Sequence, residues 1–216
     1  MKQTWSEFEQ AFGPVVPGGP GRYTGGKNLS MLLTLCGKHD PVRILEISTA
    51  YGHTSVAIVR SISHARVYTF DVCKEYGGYD SHSPYVHEIM SKDEVGSVIR
   101  ALQDDSRERI DSVVARAGDL PYEIRLRAPY ELAFVDGDHT WRRVVNDTKL
   151  ALETLTDTGT IVWDDYQEPC PEIIHFIELM NWRTGGLITL VEETRMGYTI
   201  LTKEKKAKLA SALSDL

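Results

Sequence analysis

Cysteine is scarce: Cys36, Cys73 and Cys170 are three in 216 residues, and no two of them form a CxxC pair. So odd and scattered a set argues against a disulfide framework and a cysteine-built zinc site, and it fits a reducing compartment. Long apolar runs are missing as well; nothing approaches the roughly 20 residues of a membrane span. The opening residues, Met1-Lys2-Gln3-Thr4-Trp5-Ser6-Glu7, lack the apolar stretch of a signal peptide, so a cytoplasmic protein is expected. Positive charge is in deficit, with 24 Lys and Arg against 31 Asp and Glu, a net charge of −7. Such a surface repels phosphate backbones and anionic lipid, which disfavours a nucleic-acid or membrane-surface binder. The remaining composition is 42% hydrophobic and 25% charged, enough for one folded domain and too apolar for wholesale disorder.

Proline and glycine crowd the start: Pro14, Pro17, Gly18, Gly19, Pro20, Gly21, Gly25 and Gly26. They predict an irregular arm over residues 1–27, following a short helix around Trp5–Phe12. Leu29, Leu32, Leu33 and Cys36 then recur at helical spacing until Gly37. From there strands and helices alternate. Strands are predicted at Val42–Ile47, Arg66–Phe70, Ile110–Ala115, Tyr130–Val135 and Gly159–Trp163, and helices at Thr54–Ser61, about Glu88–Leu102, Trp141–Leu155 and Pro171–Asn181. That alternation argues for an α/β domain over residues 28–202, with a parallel sheet covered on both faces. Leu187–Val191 and Tyr198–Leu201 are too close for a helical crossover, so they should form an antiparallel hairpin. The tail, residues 203–216, reads equally as a short amphipathic helix or as solvated chain.

Three features point to a nucleoside-containing ligand. The first is the strand-to-helix loop Glu46-Ile47-Ser48-Thr49-Ala50-Tyr51-Gly52-His53-Thr54-Ser55. Ligands of open α/β sheets bind at such strand ends, and Gly52 permits close backbone approach. The loop is not the GxGxxG dinucleotide fingerprint, and taken alone it also fits an ordinary turn. The second is Asp71, at the end of the next strand, where a carboxylate accepts ribose hydroxyls. The third is Asp119, after Gly118, placed to accept from an exocyclic amine such as adenine's; a plain turn Asp is the equal alternative.

The most specific pattern is acidic. Phe134-Val135-Asp136-Gly137-Asp138-His139 ends one strand and Trp163-Asp164-Asp165-Tyr166 the next. Parallel neighbours lie about 5 Å apart, so Asp136, Asp164 and Asp165 can surround one point. Three carboxylates there repel one another unless a cation holds them, and hard oxygen donors favour Mg²⁺. His139, three residues beyond Asp136, can face the same cavity as a general base; ligation of the cation is the competing role. The polar stretch Lys74–His87 reads as a substrate lid or as a solvated loop. Trp141 and Tyr166 flank the acids, to hold a flat acceptor or, for Trp141, to fill the core.

Over roughly Tyr23–Thr202 the sequence resembles the class I S-adenosylmethionine-dependent methyltransferases, and most of all the metal-dependent catechol, caffeoyl-coenzyme A and macrocin-type O-methyltransferases. Val42–Ser55, Phe134–His139 and Ile161–Tyr166 carry the likeness. The resemblance implies a Rossmann-like seven-stranded sheet with an antiparallel last strand. It implies S-adenosylmethionine in the Glu46–Ser55 loop (Glu46, Ser48, Tyr51, Gly52, Thr54, Ser55), bordered by Asp136, with the ribose on Asp71 and the adenine near Asp119. It implies Mg²⁺ on Asp136, Asp164 and Asp165, and His139 as the base, as in macrocin-type relatives. Ser48 stands where the family usually has glycine. The expected activity is Mg²⁺-dependent O-methylation of a small-molecule phenol, catechol or sugar hydroxyl, in a chain able to form a homo-oligomer. The contrasting reading is a non-catalytic cofactor-binding module of the same fold.

Overall fold

The computed structural model describes residues 1–13, 26–39, 42–73, 90–115, 120–167 and 169–216. In chain order its strands are β1 (Lys2–Gln3), β2 (Val42–Ile47), β3 (Ala65–Val72), β4 (Ile110–Ala115), β5 (Tyr130–Val135), β6 (Leu155–Trp163), β7 (Thr189–Val191) and β8 (Gly197–Ile200). Its helices are α1 (Trp5–Phe12), α2 (Gly26–Cys36), α3 (His53–Ser61), α4 (Ser97–Arg100), α5 (Tyr122–Arg125), α6 (Trp141–Thr154), α7 (Pro171–Thr184) and α8 (Lys203–Leu213), with a 3-10 turn at Asp105–Arg109. Among the described residues no helix is long and apolar enough to cross a membrane.

One sheet organises the chain, in the order β1-β7-β8-β6-β5-β2-β3-β4. β2 to β6 run parallel, and β8 pairs antiparallel with both β6 and β7. The mostly parallel Rossmann-like sheet and its antiparallel hairpin are thus present. The sheet has eight strands rather than seven, because Lys2–Gln3 adds a parallel edge beside β7. Two residues are too few to leave a pattern in sequence. Residues 1–13 of the expected arm form this strand and the Thr4-capped helix α1, which buries Phe8; Pro14–Gly25 lies outside the described residues.

The central strands are apolar throughout because both faces are covered. Ile44, Val67, Leu132, Phe134 and Val162 face α1, α2 and α3. Leu45, Ile47, Tyr68, Phe70, Ala133, Val135, Ile161 and Trp163 alternate onto the other face, under α6, α7 and α8. The tail takes the helical option and buries Leu209 and Leu213.

The helix expected over about Glu88–Leu102 is reduced, among described residues, to Ser97–Arg100. Gly96 sits in the left-handed region at φ 66° and breaks the periodic run. Tertiary bonds claim the amides a longer helix would use: Gly96 N–H donates to Ala50 O (2.8 Å) and Val98 N–H to Tyr51 O (3.0 Å). Helix propensity there yields to bracing of the β2–α3 loop.

Candidate active site

Register sets the site. Ile47 pairs with Val135, and Val135 with Trp163, so β2, β5 and β6 end level at their carboxyl ends. Hydrogen bonds extend that level into the loops: Asp136 N–H donates to Ile47 O (3.2 Å) and Asp164 N–H to Val135 O (3.1 Å). One oxygen from each of Asp136, Asp164 and Asp165 lies within 4.8 Å of the others. The expected clustering of the three acids is therefore observed.

The cluster is strongly charged and poorly solvated. Burial first, then Asp164 and Asp165, push the Asp136 carboxyl well above its ordinary range. Asp164 rises to about 6 for the same reasons, although Arg195 pulls the other way. Asp165 adopts φ 61°, an uncommon conformation for a residue with a side chain. Its carboxylate is shared: Oδ2 meets His139 Nε2 at 2.5 Å and Oδ1 accepts from Gln167 Nε2 at 2.9 Å. Burial lowers the His139 pKa, but the Asp165 hydrogen bond and the surrounding acids outweigh it, and the net shift is upward. The other ring nitrogen, Nδ1, lies 3.3 Å from Cys170 Sγ. Burial pushes the Cys170 thiol up to about 11, so it stays protonated and inert at neutral pH.

Other acids turn out to be structural. Asp138 Oδ1 accepts from Thr140 N–H (3.1 Å) in the turn before α6. Asp147 on α6 is buried beneath Gly137, where a Cβ would stand 2.5 Å from its Oδ2. Burial lifts Asp147 to about 7. Trp141 packs on His175 and Phe176 of α7, with ring centroids 5.2 and 6.0 Å away, and Tyr166 Oη reaches Glu178 at 3.4 Å.

The Glu46–Ser55 loop lies alongside. Ser48 and Ala50 both have positive φ, 84° and 44°. For Ser48 this costs about 1–2 kcal/mol, offset by its hydroxyl donating to Asp71 Oδ2 at 3.1 Å. Asp71 also accepts from Ala50 N–H (2.6 Å) and Val72 N–H (2.7 Å). With the Thr49 backbone N–H as a fourth donor, the carboxylate's roughly four acceptor positions are taken up within the chain. Gly52 opens α3 at φ 93° with no capping side chain. Thr54 and Ser55 are buried in that turn, and Ser55 Oγ donates to Glu46. Tyr51 stacks near His53 with centroids 6.4 Å apart. Asp119 and the Lys74–His87 stretch lie outside the described residues.

Glu46 carries a stability prediction. Burial raises its carboxyl from 4.5 to about 7, opposed by hydrogen bonds from Ser55 and Thr69. The native state then holds a proton that the unfolded chain releases, so stability falls as pH rises from about 4.5 to about 7. The size is about 3 kcal/mol. Glu46→Gln should remove that share of the slope, read from urea midpoints at pH 5, 6, 7 and 8; an unchanged slope would contradict the assignment.

Arg195 was not legible in the sequence. It lies in the β7–β8 turn, far along the chain from the acids, and only the antiparallel hairpin brings it to them. Its Nε is 2.9 Å from Asp164 Oδ1 and 3.4 Å from Asp165 Oδ1, and its Nη2 is 3.2 Å from Asp164 Oδ2.

A strand-end acid cluster thus lies beside a glycine-opened helix on a parallel sheet with an antiparallel end, an α/β architecture with its site at the strand ends. Residues 45–166, rather more than half of the chain, match the family described as a methyltransferase domain, and the protein belongs to that family. No curated protein sequence matches it. Solved structures share its fold. A Staphylococcus aureus protein assigned to the caffeoyl-CoA O-methyltransferases is 14% identical with a TM-score of 0.61, over 91% of this chain and 90% of that one. An O-methyltransferase from Bacillus cereus, solved with S-adenosylhomocysteine, is 17% identical with a TM-score of 0.56, over 84% of each chain. TomG from Streptomyces achromogenes, an O-methyltransferase of tomaymycin synthesis solved with S-adenosylmethionine, is 16% identical with a TM-score of 0.55, over 90% of this chain and 86% of that one.

Proposed function

We propose that this methyltransferase uses S-adenosylmethionine to methylate a hydroxyl of a small-molecule acceptor, with Mg²⁺ bound by Asp136, Asp164 and Asp165. The carrying observation is the convergence of those carboxylates, within 4.8 Å, beside the Glu46–Ser55 loop. The donor set suits a hard divalent ion: all oxygen, anionic, and costly to leave together without a counter-charge. Bound there, such an ion would lower the pKa of an acceptor hydroxyl and stabilise its oxyanion. The names of the B. cereus and TomG neighbours, solved with product and cofactor, support the choice of cofactor and of O-methylation.

The chain's own residues then divide the work. The β2–α3 loop and Asp71 hold the cofactor, and the acidic edge including Asp136 suits its sulfonium. The acceptor oxygen is held in line with the methyl group, so that displacement is effectively intramolecular. His139 receives the hydroxyl proton at Nε2, which Asp165 Oδ2 must first vacate, while Nδ1–H rests on Cys170 Sγ and fixes the ring.

Labelled S-adenosylmethionine with a panel of catechols, flavonoids and amino sugars, with and without EDTA, tests the reading. Transfer that EDTA abolishes and Mg²⁺ restores is expected; cofactor binding without transfer to any acceptor would favour the non-catalytic module. His139→Ala should slow transfer roughly 10²–10⁴-fold and recover partly at high pH, where hydroxide replaces the base. Wild-type rates across the whole pH profile would remove His139 from the mechanism.

A further inference from the structure

Arg195 holds Asp164 as a fork, one nitrogen on each carboxylate oxygen, and also approaches Asp165. Asp164 is fully buried, so this guanidinium is the counter-ion that makes its burial tolerable. The oxygens involved are those a divalent ion needs, and two cations on one buried carboxylate repel. We infer that Arg195 is a built-in competitor for the metal: it closes the acidic site when unloaded and must leave Asp164 before a divalent cation binds. The inference rests on the metal reading of the three carboxylates.

The surroundings support a swinging side chain on a fixed backbone. Arg195 N–H donates to Asn28 Oδ1 (3.1 Å) and its carbonyl accepts from Tyr166 N–H (2.8 Å), which pins the main chain. Thr194 Oγ1 donates to Val191 O (2.7 Å), which fixes the turn from within. The Arg195 side chain itself is 27% exposed, while that of Asp164 is 0% exposed, so the arginine has a path to solvent and the carboxylate does not. Glu192, exposed in the same turn, offers the released guanidinium a nearby carboxylate, whereas Glu193 is already paired with Lys27.

The consequence is a metal affinity set below what three carboxylates alone would give. Mn²⁺ titration of the full chain, followed by the electron paramagnetic resonance of free Mn²⁺, reads it without any assay of activity. Arg195→Met, which keeps the length and removes the charge, should bind Mn²⁺ at least tenfold more tightly than wild type. Arg195→Lys, which keeps the charge and loses the fork, should fall between the two. In EDTA, Arg195→Met should melt below wild type because Asp164 is left unpaired, and Mn²⁺ should close the gap. Should Arg195→Met not fold, the comparison of Arg195→Lys with wild type still decides. Equal or weaker Mn²⁺ binding by the variants overturns the competition while leaving the metal reading intact. Absence of Mn²⁺ binding in wild type and variants alike overturns both.

Discussion

Asp136→Ala and Asp165→Ala should each lose about three orders of magnitude in transfer rate while retaining cofactor binding. The size follows from removing a ligand of an ion whose charge stabilisation is worth several kcal/mol in the transition state. The separation follows from position: the β2–α3 loop and Asp71 lie on β2 and β3, whereas these acids follow β5 and β6. The two variants should differ in detail. Asp136 makes no side-chain hydrogen bond among the described residues, so its loss should relieve charge repulsion and leave the fold intact or firmer. Asp165 touches His139, Gln167 and Arg195, so its loss should also disturb the base. Steady-state rates beside calorimetric titration with S-adenosylhomocysteine test both statements. Wild-type rates in either variant, or full activity in EDTA, would end the metal mechanism.

Gly52→Val should abolish cofactor binding and cost several kcal/mol of stability. The sequence reading explained this glycine by the approach of a ligand; the structure gives a nearer cause. A Cβ there would meet the Ile99 side chain, with Cδ1 at 2.6 Å and Cγ1 closer still, and φ is 93°. A left-handed β-branched residue plus overpacking amounts to about 2–5 kcal/mol, a large fraction of a typical stability of about 5–15 kcal/mol. Ile99→Ala in the Gly52→Val background should recover the packing part and leave the backbone part. Cofactor affinity should stay at least tenfold weaker, because Gly52 starts α3 and its N–H bonds Thr49 O at 2.8 Å. Full recovery of binding in the double variant would mean that the left-handed conformation is dispensable.

The contrast between legible and hidden parts has a physical basis. β2 and β5 were readable because a strand buried on both faces must be apolar at every position, and the acids at their ends break that run abruptly. Asp136, Asp164 and Asp165 stood out for the same reason: charge directly after a buried strand needs a partner. Arg195 gives no such signal, since an arginine in a hairpin turn is ordinary until the antiparallel pairing of β8 with β6 is known. Cys170 was similarly silent; its neighbour His139 is 31 residues away. The Glu88–Leu102 stretch misled because its periodicity is local, whereas the bonds from Gly96 and Val98 to Ala50 and Tyr51 are tertiary.

The β2–β5 pairing has a kinetic side. It is the seam between two chain halves: β2, β3 and β4 come from the first, β5, β6 and β8 from the second. Strands at such a seam pair only after a long loop has closed, which makes this a non-local, slow-forming contact. The β2–α3 loop belongs to one half and the acid cluster to the other, both at the same end of the seam. A ligand that touches both therefore acts as a clasp across the joint. At a hundredfold excess over its dissociation constant it adds about 2.7 kcal/mol to native stability. Much of that gain should appear as slower separation of the halves, so limited proteolysis should find the saturated enzyme harder to cut between β4 and β5 than the empty one.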